Sequence, residues 1–407
     1  MKCGLLGRKL GHSYSPQIHA LLGNYSYQLF EKEPEEIGDF LKNGDFTGLN
    51  VTIPYKKEVI PFLDELSPAA ARLGAVNTIV RRDGKLIGHN TDYFGFRRLV
   101  QESGLQVAGK KVLVLGSGGA SSTAVAVLQE LGAKVTVISR SGENNYENLD
   151  RHADAAVIAN TTPVGMYPNT GKSALSLEGF PRLEGVLDAV YNPARTQILL
   201  DAERRGLAAV NGLWMLVAQA KESAEWFTGE EIPDSRIAKI HHTLRLQMEN
   251  IILIGMPGCG KTAVGQQIAQ KLGKKFVDAD ESLEARVCRK ITDIIPNDGE
   301  AAFREMESET LAELGKQSGL VIATGGGCVT QPQNYPLLHQ NGTIFWLKRE
   351  LDKLPTDGRP LSQKGTLGQM YEARMPLYLR FADAAISNDG SIAETAAAIC
   401  RKLEETT

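Results

Sequence analysis

The chain has 407 residues, of which 42% are hydrophobic and 23% are charged, and its formal net charge is −3 at pH 7. This length and composition predict a globular protein of two or three domains, and the small negative charge gives no electrostatic argument for a nucleic-acid partner. No stretch approaches the roughly 18 apolar residues of a membrane helix, and the N-terminal segment, which carries Arg8 and Lys9, has no apolar core of a signal peptide. We therefore expect a cytoplasmic protein that acts on small molecules.

Residues 2–100 alternate short apolar runs with helical patterns, which predicts an α/β domain. Three polar clusters interrupt this pattern: His12-Ser13-Tyr14-Ser15-Pro16, Asn50-Val51-Thr52-Ile53-Pro54-Tyr55-Lys56, and Asn77-Thr78 with Asn90-Thr91-Asp92. Each Ser, Thr or Asn can simply cap a helix or close a turn, and a lysine such as Lys56, taken alone, is more often a solvated surface charge. Together the clusters offer hydroxyls and amides for a polyhydroxylated ligand, and a lysine beside a carboxylate can act in general acid/base catalysis.

A different pattern begins at Gly109. It predicts a buried strand, a glycine-rich loop, a helix and a second strand, at residues 112–115, 116–121, up to 131 and 135–138. This order is typical of a dinucleotide-binding βαβ unit, although Ser121 replaces the third glycine of G-x-G-x-x-G. After the second strand stands Ser139-Arg140-Ser141, where an NAD enzyme would carry an acidic residue. Arginine and hydroxyls suit a 2′-phosphate, so the sequence favours NADP over NAD; a solvent-facing Arg140 is the alternative.

Seven segments between residues 12 and 220 carry a family resemblance. In chain order they are HSYSP, NVTIPYK, GAVNT, GHNTDYFG, NTTPVGM, DAVYNP and NGLWMLVAQA. Their order and approximate spacing resemble the shikimate dehydrogenase family, whose members reversibly reduce 3-dehydroshikimate with NADPH. The resemblance implies a substrate-binding domain at residues 1–100, an NADP-binding Rossmann-like domain at residues 101–213, and helices at residues 213–247 that return to the first domain.

The same resemblance implies a substrate site, a proton-transfer group and a cofactor site. Shikimate would be surrounded by Ser13, Ser15, Asn50, Thr52, Asn77, Asp92, Tyr191 and Gln219. Lys56 would transfer the proton, while Asp92 holds the substrate hydroxyl and the lysine in register. The cofactor would face Gly116, Ser117, Gly118, Gly119, Ala120, Ser139, Arg140 and Gly212.

The sequence IILIGMPGCGKT, at residues 251–262, predicts a buried strand that runs into a loop of the form G-x-x-x-x-G-K-[ST]. In such a loop the backbone N–H groups cradle phosphates, Lys261 reaches the β and γ phosphates of a nucleotide, and Thr262 offers a hydroxyl to Mg²⁺. The expected nucleotide-binding residues are Gly258, Cys259, Gly260, Lys261 and Thr262. Because a P-loop normally opens its domain, we place a domain boundary just before Met248.

Two further segments of the second unit suggest a ligand site. Phe276-Val277-Asp278-Ala279-Asp280 predicts a strand that ends in two carboxylates, which would lie on the same side of an extended chain. One carboxylate can serve Mg²⁺ and the other a substrate hydroxyl, although a solvated acidic turn is the alternative. Residues 321–327, VIATGGG, predict a buried strand that breaks into three glycines, which suggests close approach of the backbone to a ligand.

These motifs, together with GEAAFR, Arg359-Pro360-Leu361 and Arg374-Met375-Pro376-Leu377-Tyr378, resemble the shikimate kinase family over essentially all of residues 248–407. The resemblance implies a P-loop α/β domain, similar to the nucleoside-monophosphate kinases, that phosphorylates shikimate with MgATP. Shikimate would be bound by Asp280, Arg304, Gly326 and Arg374. Asp280 would orient the 3-hydroxyl, Asp278 would lie near the magnesium, and Arg359 would come from a mobile lid to the nucleotide and the transferring phosphoryl group.

The product of the first implied reaction is the substrate of the second. The sequence therefore predicts a bifunctional enzyme of aromatic amino acid biosynthesis that converts 3-dehydroshikimate to shikimate 3-phosphate. Two alternatives stay open: a quinate/shikimate dehydrogenase fused to another small-metabolite kinase, and a metabolite-sensing regulator built from inactive domains. The regulator would be expected to have lost at least one of Lys56, Asp92, Lys261, Thr262 and Arg359. The sequence gives no indication of the oligomeric state.

Overall fold

The computed structural model describes residues 1–11, 13–354 and 367–405. These residues form two compact units. The first contains Met1–Gly165, Lys172–Tyr191 and Ile198–Thr243, and the second contains Met166–Gly171, Asn192–Gln197 and the described part of Leu244–Thr407. Both units are α/β, which confirms the predicted fold class. Within the described ranges, no helix has the length and apolar character needed to cross a membrane.

The first sheet of the first unit is mixed. Its strands are β1 (Lys2–Gly7), β2 (Ser26–Glu31), β3 (Gly48–Val51), β4 (Glu65–Leu66), β5 (Thr78–Arg82) and β6 (Lys85–His89), in the order β2-β1-β3-β5-β6-β4. The strand β1 is parallel to both neighbours, whereas β5 runs antiparallel to β3 and β6. The helices up to residue 102 are α1 (Ser15–Leu22), α2 (Ile37–Asn43), α3 (Pro68–Leu73) and α4 (Asp92–Glu102).

The second sheet is parallel throughout. Its strands are β7 (Lys111–Leu115), β8 (Lys134–Ile138), β9 (Val157–Asn160), β10 (Gly185–Asp188) and β11 (Ala208–Val210), in the order β11-β10-β9-β7-β8. The helix α5 (Gly119–Glu130) joins β7 to β8 and completes the predicted βαβ unit, and α6 (Gln197–Arg204) precedes β11. The strands β8 and β9 lie on opposite sides of β7, so the strand order reverses at β7. Ligands of parallel α/β sheets bind at the carboxyl ends of the strands beside such a reversal.

Two helices follow the second sheet, α7 (Leu213–Thr228) and α8 (Ser235–Met248). The helix α7 packs against α4, α1 and the strands β3 and β5, so it returns to the first sheet as the family resemblance implies. The helix α8 spans the division between the units, because the second unit begins at Leu244 rather than at Met248. Leu246 packs against the core of the second unit, which explains the difference.

The sheet of the second unit is also parallel. Its strands are β12 (Asn250–Ile254), β13 (Lys275–Asp278), β14 (Leu320–Ala323), β15 (Gly342–Lys348) and β16 (Ala384–Ser387), in the order β13-β14-β12-β15-β16. The helices are α9 (Lys261–Leu272), α10 (Ala279–Val287), α11 (Ile291–Gly315), α12 (Asn334–His339), α13 (Leu367–Phe381) and α14 (Ile392–Glu405). The central strand β12 is buried along its whole length, and α11 is kinked at Gly299, whose φ is 90°.

The strand predicted at residues 276–280 is shorter than expected. It ends at Asp278, and Asp280 lies in the first turn of α10. Asp278 caps that helix, because its carboxylate accepts from the backbone N–H groups of Asp280 at 3.0 Å and Glu281 at 3.5 Å. Aspartate is a favoured capping residue for this reason. The prediction that both carboxylates lie along one extended strand is therefore wrong.

Candidate active sites

An ion pair occupies the carboxyl-terminal edge of the first sheet. Lys56, a few residues after β3, donates from Nζ to Oδ2 of Asp92 at 2.5 Å. The other oxygen of the same carboxylate accepts from Nδ2 of Asn77 at 3.0 Å. Asp92 is the first residue of α4, where a helix favours negative charge, and its side chain is 10% exposed, against 25% for Lys56. The structure thus forms a lysine–carboxylate pair that retains access to solvent.

Asn77 connects this pair to other predicted residues. Its Oδ1 accepts from the backbone N–H of Thr91 at 2.7 Å, and its Nδ2 lies 3.4 Å from Oε1 of Gln219. Asn50 donates from Nδ2 to the backbone oxygen of Asn77 at 3.3 Å. Asn50, Asn77, Asp92 and Gln219 therefore belong to one hydrogen-bonded network.

Tyr27 extends the network to the start of α1. Its hydroxyl donates to Oδ1 of Asn50 at 2.7 Å and lies near the side chain of Ser15. Burial raises the pKa of Tyr27 well above its ordinary value, so the hydroxyl keeps its proton. The backbone N–H of Ser15 donates to Oγ of Ser13 at 3.2 Å. Both predicted serines are thus placed beside the network.

Two more predicted residues lie on segments next to these contacts. Thr52 directly follows β3, and its backbone N–H donates to the oxygen of Leu6 at 3.0 Å. The ring of Tyr191 meets the ring of Tyr14 edge-on, with 6.0 Å between centroids. Burial raises the pKa of Tyr191, which keeps it neutral at physiological pH.

The glycine-rich loop has the geometry of a phosphate-binding turn. Gly116 has a φ of 110°, which favours glycine, and a methyl group built on Gly118 or Gly119 would meet no atom within 4 Å. The first turn of α5, which includes Ala120, therefore presents its unpaired N–H groups to open space. Ser121 is 3% exposed and donates from Oγ to the oxygen of Gly116 at 2.7 Å. The serine at the third glycine position is thus accommodated by a hydrogen bond back to the loop.

The remaining predicted cofactor residues lie near the ends of the strands. Ser117 is in the loop itself, Ser139 directly follows β8, and Arg140 is exposed. A Cβ atom on Gly212 would stand 2.1 Å from the backbone oxygen of Ala189. Glycine is therefore required at position 212 by the close approach of two backbone segments.

The P-loop between β12 and α9 is formed by three left-handed glycines. The φ angles of Gly255, Gly258 and Gly260 are 144°, 82° and 99°. Lys261 is 9% exposed and donates from Nζ to the backbone oxygens of Gly255 and Met256, at 3.0 and 3.1 Å. The lysine side chain is thus folded over the loop, and the phosphate of a bound nucleotide can replace the two carbonyl oxygens as its hydrogen-bond partner.

Cys259 contributes its main chain to this loop, and its sulfur lies 4.0 Å from Nζ of Lys261. The residue is 0% exposed, and a Cβ atom on Gly255 would lie 2.9 Å from its sulfur. The thiol therefore fills space beneath the loop. Asn388 supports this position, because its Nδ2 donates to the backbone oxygen of Cys259 at 2.6 Å.

The two residues predicted to serve Mg²⁺ are in direct contact. Thr262 donates from Oγ1 to Oδ2 of Asp278 at 3.1 Å. A hydroxyl and a carboxylate oxygen fit the oxygen preference of Mg²⁺, which usually keeps waters and substrate phosphates as its other ligands. Among the described residues, no group of three or more His, Cys, Asp or Glu side chains could hold a metal by itself. The ion would therefore depend on the nucleotide for further ligands.

One cavity of about 450 Å³ joins the P-loop to the predicted shikimate residues. Its lining includes Gly258, Gly260, Lys261, Thr262, Asp278, Asp280, Arg304, Gly326 and Arg374. Burial, and then the nearby charges of Asp278 and Glu307, raise the pKa of Asp280 to about 6. The predicted lid residue Arg359 lies outside the described residues. A carboxyl group with a pKa near neutrality thus shares a cavity with phosphate-binding groups and two arginines.

The three glycines after β14 leave room for the groups that line this cavity. A Cβ atom on Gly325 would lie 2.6 Å from Oε1 of Glu307, and one on Gly327 would lie 2.2 Å from Nη2 of Arg304. The oxygen of Gly326 accepts from Nη1 of Arg374 at 3.2 Å and from the hydroxyl of Tyr378 at 2.6 Å. A Cβ atom on Gly326 would lie 2.7 Å from Cδ of Pro257, so close contacts favour glycine at all three positions.

Sequence reasoning missed several residues that support the two sites. Glu307 is 2% exposed and accepts from Nη1 of Arg304 at 2.8 Å. Its spacing of three residues from Arg304 on a helix is a signal that could have found it. Tyr27, Ser223 and Asn388 stand outside the motifs, and their partners are distant in the chain.

The first unit has close relatives. Residues 5–79 match the family model of the shikimate dehydrogenase substrate binding domain. A shikimate dehydrogenase (NADP(+)) from Clostridium perfringens (strain SM101 / Type A) is 37% identical over 264 residues, which cover 60% of this chain and 97% of that protein. The chain belongs to the shikimate dehydrogenase family. Residues 257–404 match the shikimate kinase family model, so the second unit contains a shikimate kinase domain.

Solved structures agree with this membership. The crystal structure of shikimate dehydrogenase 1 from Peptoclostridium difficile is 38% identical with a TM-score of 0.56, covering 60% of this chain and 98% of that chain. The shikimate 5-dehydrogenase from Thermus thermophilus, in complex with NADP(H) and shikimate, is 30% identical with a TM-score of 0.54, covering 60% and 99%. The shikimate dehydrogenase fold therefore accounts for the part of the chain that precedes the P-loop.

Proposed function

We propose that this chain catalyses two consecutive reactions, the reduction of 3-dehydroshikimate to shikimate with NADPH and the phosphorylation of shikimate to shikimate 3-phosphate with MgATP. The observation that carries the proposal is that each unit assembles its own reactive groups. The Lys56–Asp92 pair lies in the first unit, and one cavity of the second unit joins Lys261 to Asp280 and Arg304. The first product is the second substrate, so the two activities form a sequence.

In the first reaction Lys56 acts as the proton donor. When bound, NADPH supplies a hydride to the ketone carbon of the substrate. The ammonium group of Lys56 gives a proton to the oxygen that becomes the new hydroxyl. Asp92 holds that ammonium at 2.5 Å and accepts from a substrate hydroxyl, and its bond to Asn77 keeps the carboxylate in place.

The substrate is held by hydroxyl and amide groups that match a polyhydroxylated ring. We assign this role to Ser13, Ser15, Asn50, Thr52, Asn77, Asp92, Tyr191 and Gln219. The hydrogen bonds among Asn50, Asn77 and Gln219 support the assignment, because they bring residues from three distant parts of the chain into one network.

The cofactor is held at the carboxyl end of the second sheet. We assign its pyrophosphate to the loop at residues 116–120, where the open face and the first turn of α5 provide N–H groups. Arg140 supplies the positive charge for the 2′-phosphate of NADP, with Ser139 beside it. Gly212 lies at the start of α7 and borders the same edge.

In the second reaction the protein aligns two substrates and neutralises charge. Lys261 and the P-loop N–H groups bind the phosphates of ATP, and Thr262 with Asp278 holds Mg²⁺, which neutralises the developing phosphate charge. Asp280 accepts the proton of the 3-hydroxyl of shikimate. Its neighbours Arg304 and Arg374, with the backbone at Gly326, bind the shikimate carboxylate. Arg359 remains a prediction from the sequence alone.

The organisation of the chain follows from these assignments. We propose a substrate-binding domain at residues 1–100 completed by residues 213–247, an NADP-binding domain at residues 101–213, and a kinase domain at residues 248–407 that is extended by the last turn of α8 from Leu244. Cytoplasmic location is part of the proposal, and it agrees with small, polar substrates.

The test is a single incubation with 3-dehydroshikimate, NADPH and MgATP, in which loss of NADPH absorbance and formation of ADP are followed together. We expect one ADP for each NADPH consumed, and ADP formation from added shikimate when NADPH is omitted. Reduction without any phosphorylation of added shikimate would remove the kinase half of the proposal. Parallel incubations with shikimate or quinate and NADP test the quinate alternative, which requires comparable rates for the two compounds.

A further inference from the structure

Two hydroxyl groups outside the predicted site hold the side chain of Asn50 at both ends. The hydroxyl of Tyr27 donates to Oδ1 of Asn50 at 2.7 Å. At the opposite end, Nδ2 of Asn50 donates to Oγ of Ser223 at 2.8 Å. Asn50 is 5% exposed and Ser223 is fully buried, so water does not compete strongly for these bonds.

The neighbouring groups permit only one orientation of the Asn50 amide. The backbone oxygen of Gln219 lies 2.9 Å from Oγ of Ser223 and can only accept, so the Ser223 hydroxyl can donate there and accept from Asn50. The backbone oxygen of Asn77 lies 3.3 Å from the same Nδ2 atom and can only accept. A flipped amide would place Oδ1 against this carbonyl oxygen, which is repulsive. Tyr27 therefore faces Oδ1, and Ser223 faces Nδ2.

Ser223 also joins Asn50 to the segment that carries the catalytic carboxylate. Its Oγ lies 3.0 Å from Oγ1 of Thr91 and 2.8 Å from Oγ1 of Thr78. Thr91 directly precedes Asp92 in the chain. One buried hydroxyl on α7 thus links β3, β5 and the start of α4.

Tyr27 is held rigidly in turn. Its ring stacks on the ring of His19, with 4.0 Å between centroids and an interplanar angle of 9°. His19 is itself 1% exposed, and its Nδ1 is 2.6 Å from the hydroxyl of Tyr25. Packing of its ring on His19 therefore helps to fix the position of the Tyr27 hydroxyl.

We propose that Tyr27 and Ser223 are positioning residues of the dehydrogenase site, which fix the Asn50 amide in one orientation toward a hydroxyl of the substrate. The inference rests on the proposed reduction of 3-dehydroshikimate. Both N–H groups of Nδ2 are engaged by Ser223 and the backbone of Asn77, so a fixed amide presents the remaining lone pair of Oδ1 and accepts from a ring hydroxyl. The hydrogen bonds of both residues lead to the Asn50 network rather than to the loop at residues 116–120, so we expect the effect to be confined to the substrate.

The test compares Tyr27→Phe, Ser223→Ala and the double variant in the full chain. We expect each single change to raise KM for 3-dehydroshikimate about tenfold, because one end of the buried Asn50 amide loses its hydrogen-bond partner. KM for NADPH should stay within about twofold, and shikimate phosphorylation by the same molecules should be unchanged. The double variant should fall short of the product of the single effects, since both act through Asn50.

Thr243→Ala is the matched control. Thr243 donates from Oγ1 to the backbone oxygen of Lys239 at 2.9 Å, which is the same bond to the preceding helical turn that Ser223 makes to Gln219. This variant should keep the wild-type KM for both substrates. Ser223→Thr keeps the hydroxyl and should keep most of the affinity for 3-dehydroshikimate. Ser223→Cys, of similar volume to serine, lacks the hydroxyl and should lose it.

The outcomes separate the inference from the proposed function. If wild-type protein does not reduce 3-dehydroshikimate, the proposed function fails. If wild-type protein is active and the variants keep its KM, or raise both KM values equally, the positioning role is wrong. Should Ser223→Ala lose NADPH binding through misfolding, the Tyr27→Phe and Ser223→Cys variants decide by the same criterion.

Discussion

Lys56 and Lys57 are adjacent in the chain but differ in their surroundings. Lys56 is bound to the carboxylate of Asp92 at 2.5 Å and is mostly buried, whereas Lys57 is exposed. A lysine at the edge of a buried network can deliver a proton to a bound ligand, and a solvated lysine serves chiefly for solubility. The adjacent pair therefore provides a natural comparison.

We expect Lys56→Met to lower the rate of NADPH oxidation by about 10² to 10⁴, the usual contribution of a general acid. Lys57→Met should leave that rate unchanged. Both variants should phosphorylate added shikimate like the wild type, because Lys261 belongs to a separate unit. The measurement is NADPH absorbance beside ADP formation. Equal losses in the two lysine variants would contradict the assigned role.

Asp280 sets the pH range of the second reaction. Burial raises the pKa of its carboxyl to about 6 from an ordinary value of 3.8. Below pH 6 the group is protonated and cannot accept a proton from the 3-hydroxyl. We therefore expect kcat/KM for shikimate to fall about tenfold per pH unit below pH 6 and to be level between pH 7 and 8. A profile that stays level down to pH 5 would exclude Asp280 as the proton acceptor.

At the scale of elements, the features that depend on local pattern could be predicted from the sequence, and those that depend on capping or tertiary packing could not. The strand β12, the P-loop and α9 were predicted because their signals lie within about 20 consecutive residues. The end of β13 was not, because capping of α10 by Asp278 competes with a longer strand. Ser223 gave no signal, since its partner Asn50 is 173 residues away and the two meet only when α7 packs on β3.

The loop after β14 shows how an element can be fixed by atoms outside it. Gly327 has a φ of −103°, so its backbone alone does not require glycine. The requirement comes from the guanidinium of Arg304, which a Cβ atom would approach to 2.2 Å. A side chain at this position must displace the arginine from the cavity.

We expect Gly327→Ala to raise KM for shikimate about ten- to a hundredfold, the effect of losing a charged hydrogen bond. KM for ATP should stay close to the wild-type value. The control is Gly368→Ala in α13, where the added methyl group would meet no atom within 4 Å. Steady-state kinetics with each substrate varied in turn provide the measurement. Unchanged shikimate affinity in the Gly327 variant would show that Arg304 does not hold the carboxylate.

At the scale of the whole molecule, the end of α8 decides where the kinase unit begins. Arg245 donates from Nη2 to the backbone oxygen of Leu403 at 3.1 Å, and Leu246 packs against the core. Both residues precede Met248, the boundary that the sequence suggests. The final turn of α8 thus stabilises the second unit.

A fragment that spans residues 244–407 should therefore unfold at a higher temperature than one that spans residues 248–407. The expected difference is about 1 to 3 kcal/mol, or roughly 3 to 10 °C in Tm for a domain of this size. Thermal unfolding followed by circular dichroism, with a shikimate phosphorylation assay on each fragment, makes the comparison. Identical melting temperatures would mean that Arg245 and Leu246 contribute nothing measurable.

The continuity of α8 also affects how the thermal unfolding of the chain responds to a bound ligand. Its residues up to Thr243 belong to one unit and those from Leu244 to the other, yet they share a single run of backbone hydrogen bonds. Such a helix melts cooperatively, so a unit that stays folded protects the half helix of its neighbour. NADPH binds only the native first unit and raises its unfolding free energy by mass action. When the intact chain is heated, NADPH should therefore delay the loss of shikimate kinase activity, although the kinase unit itself does not bind NADPH.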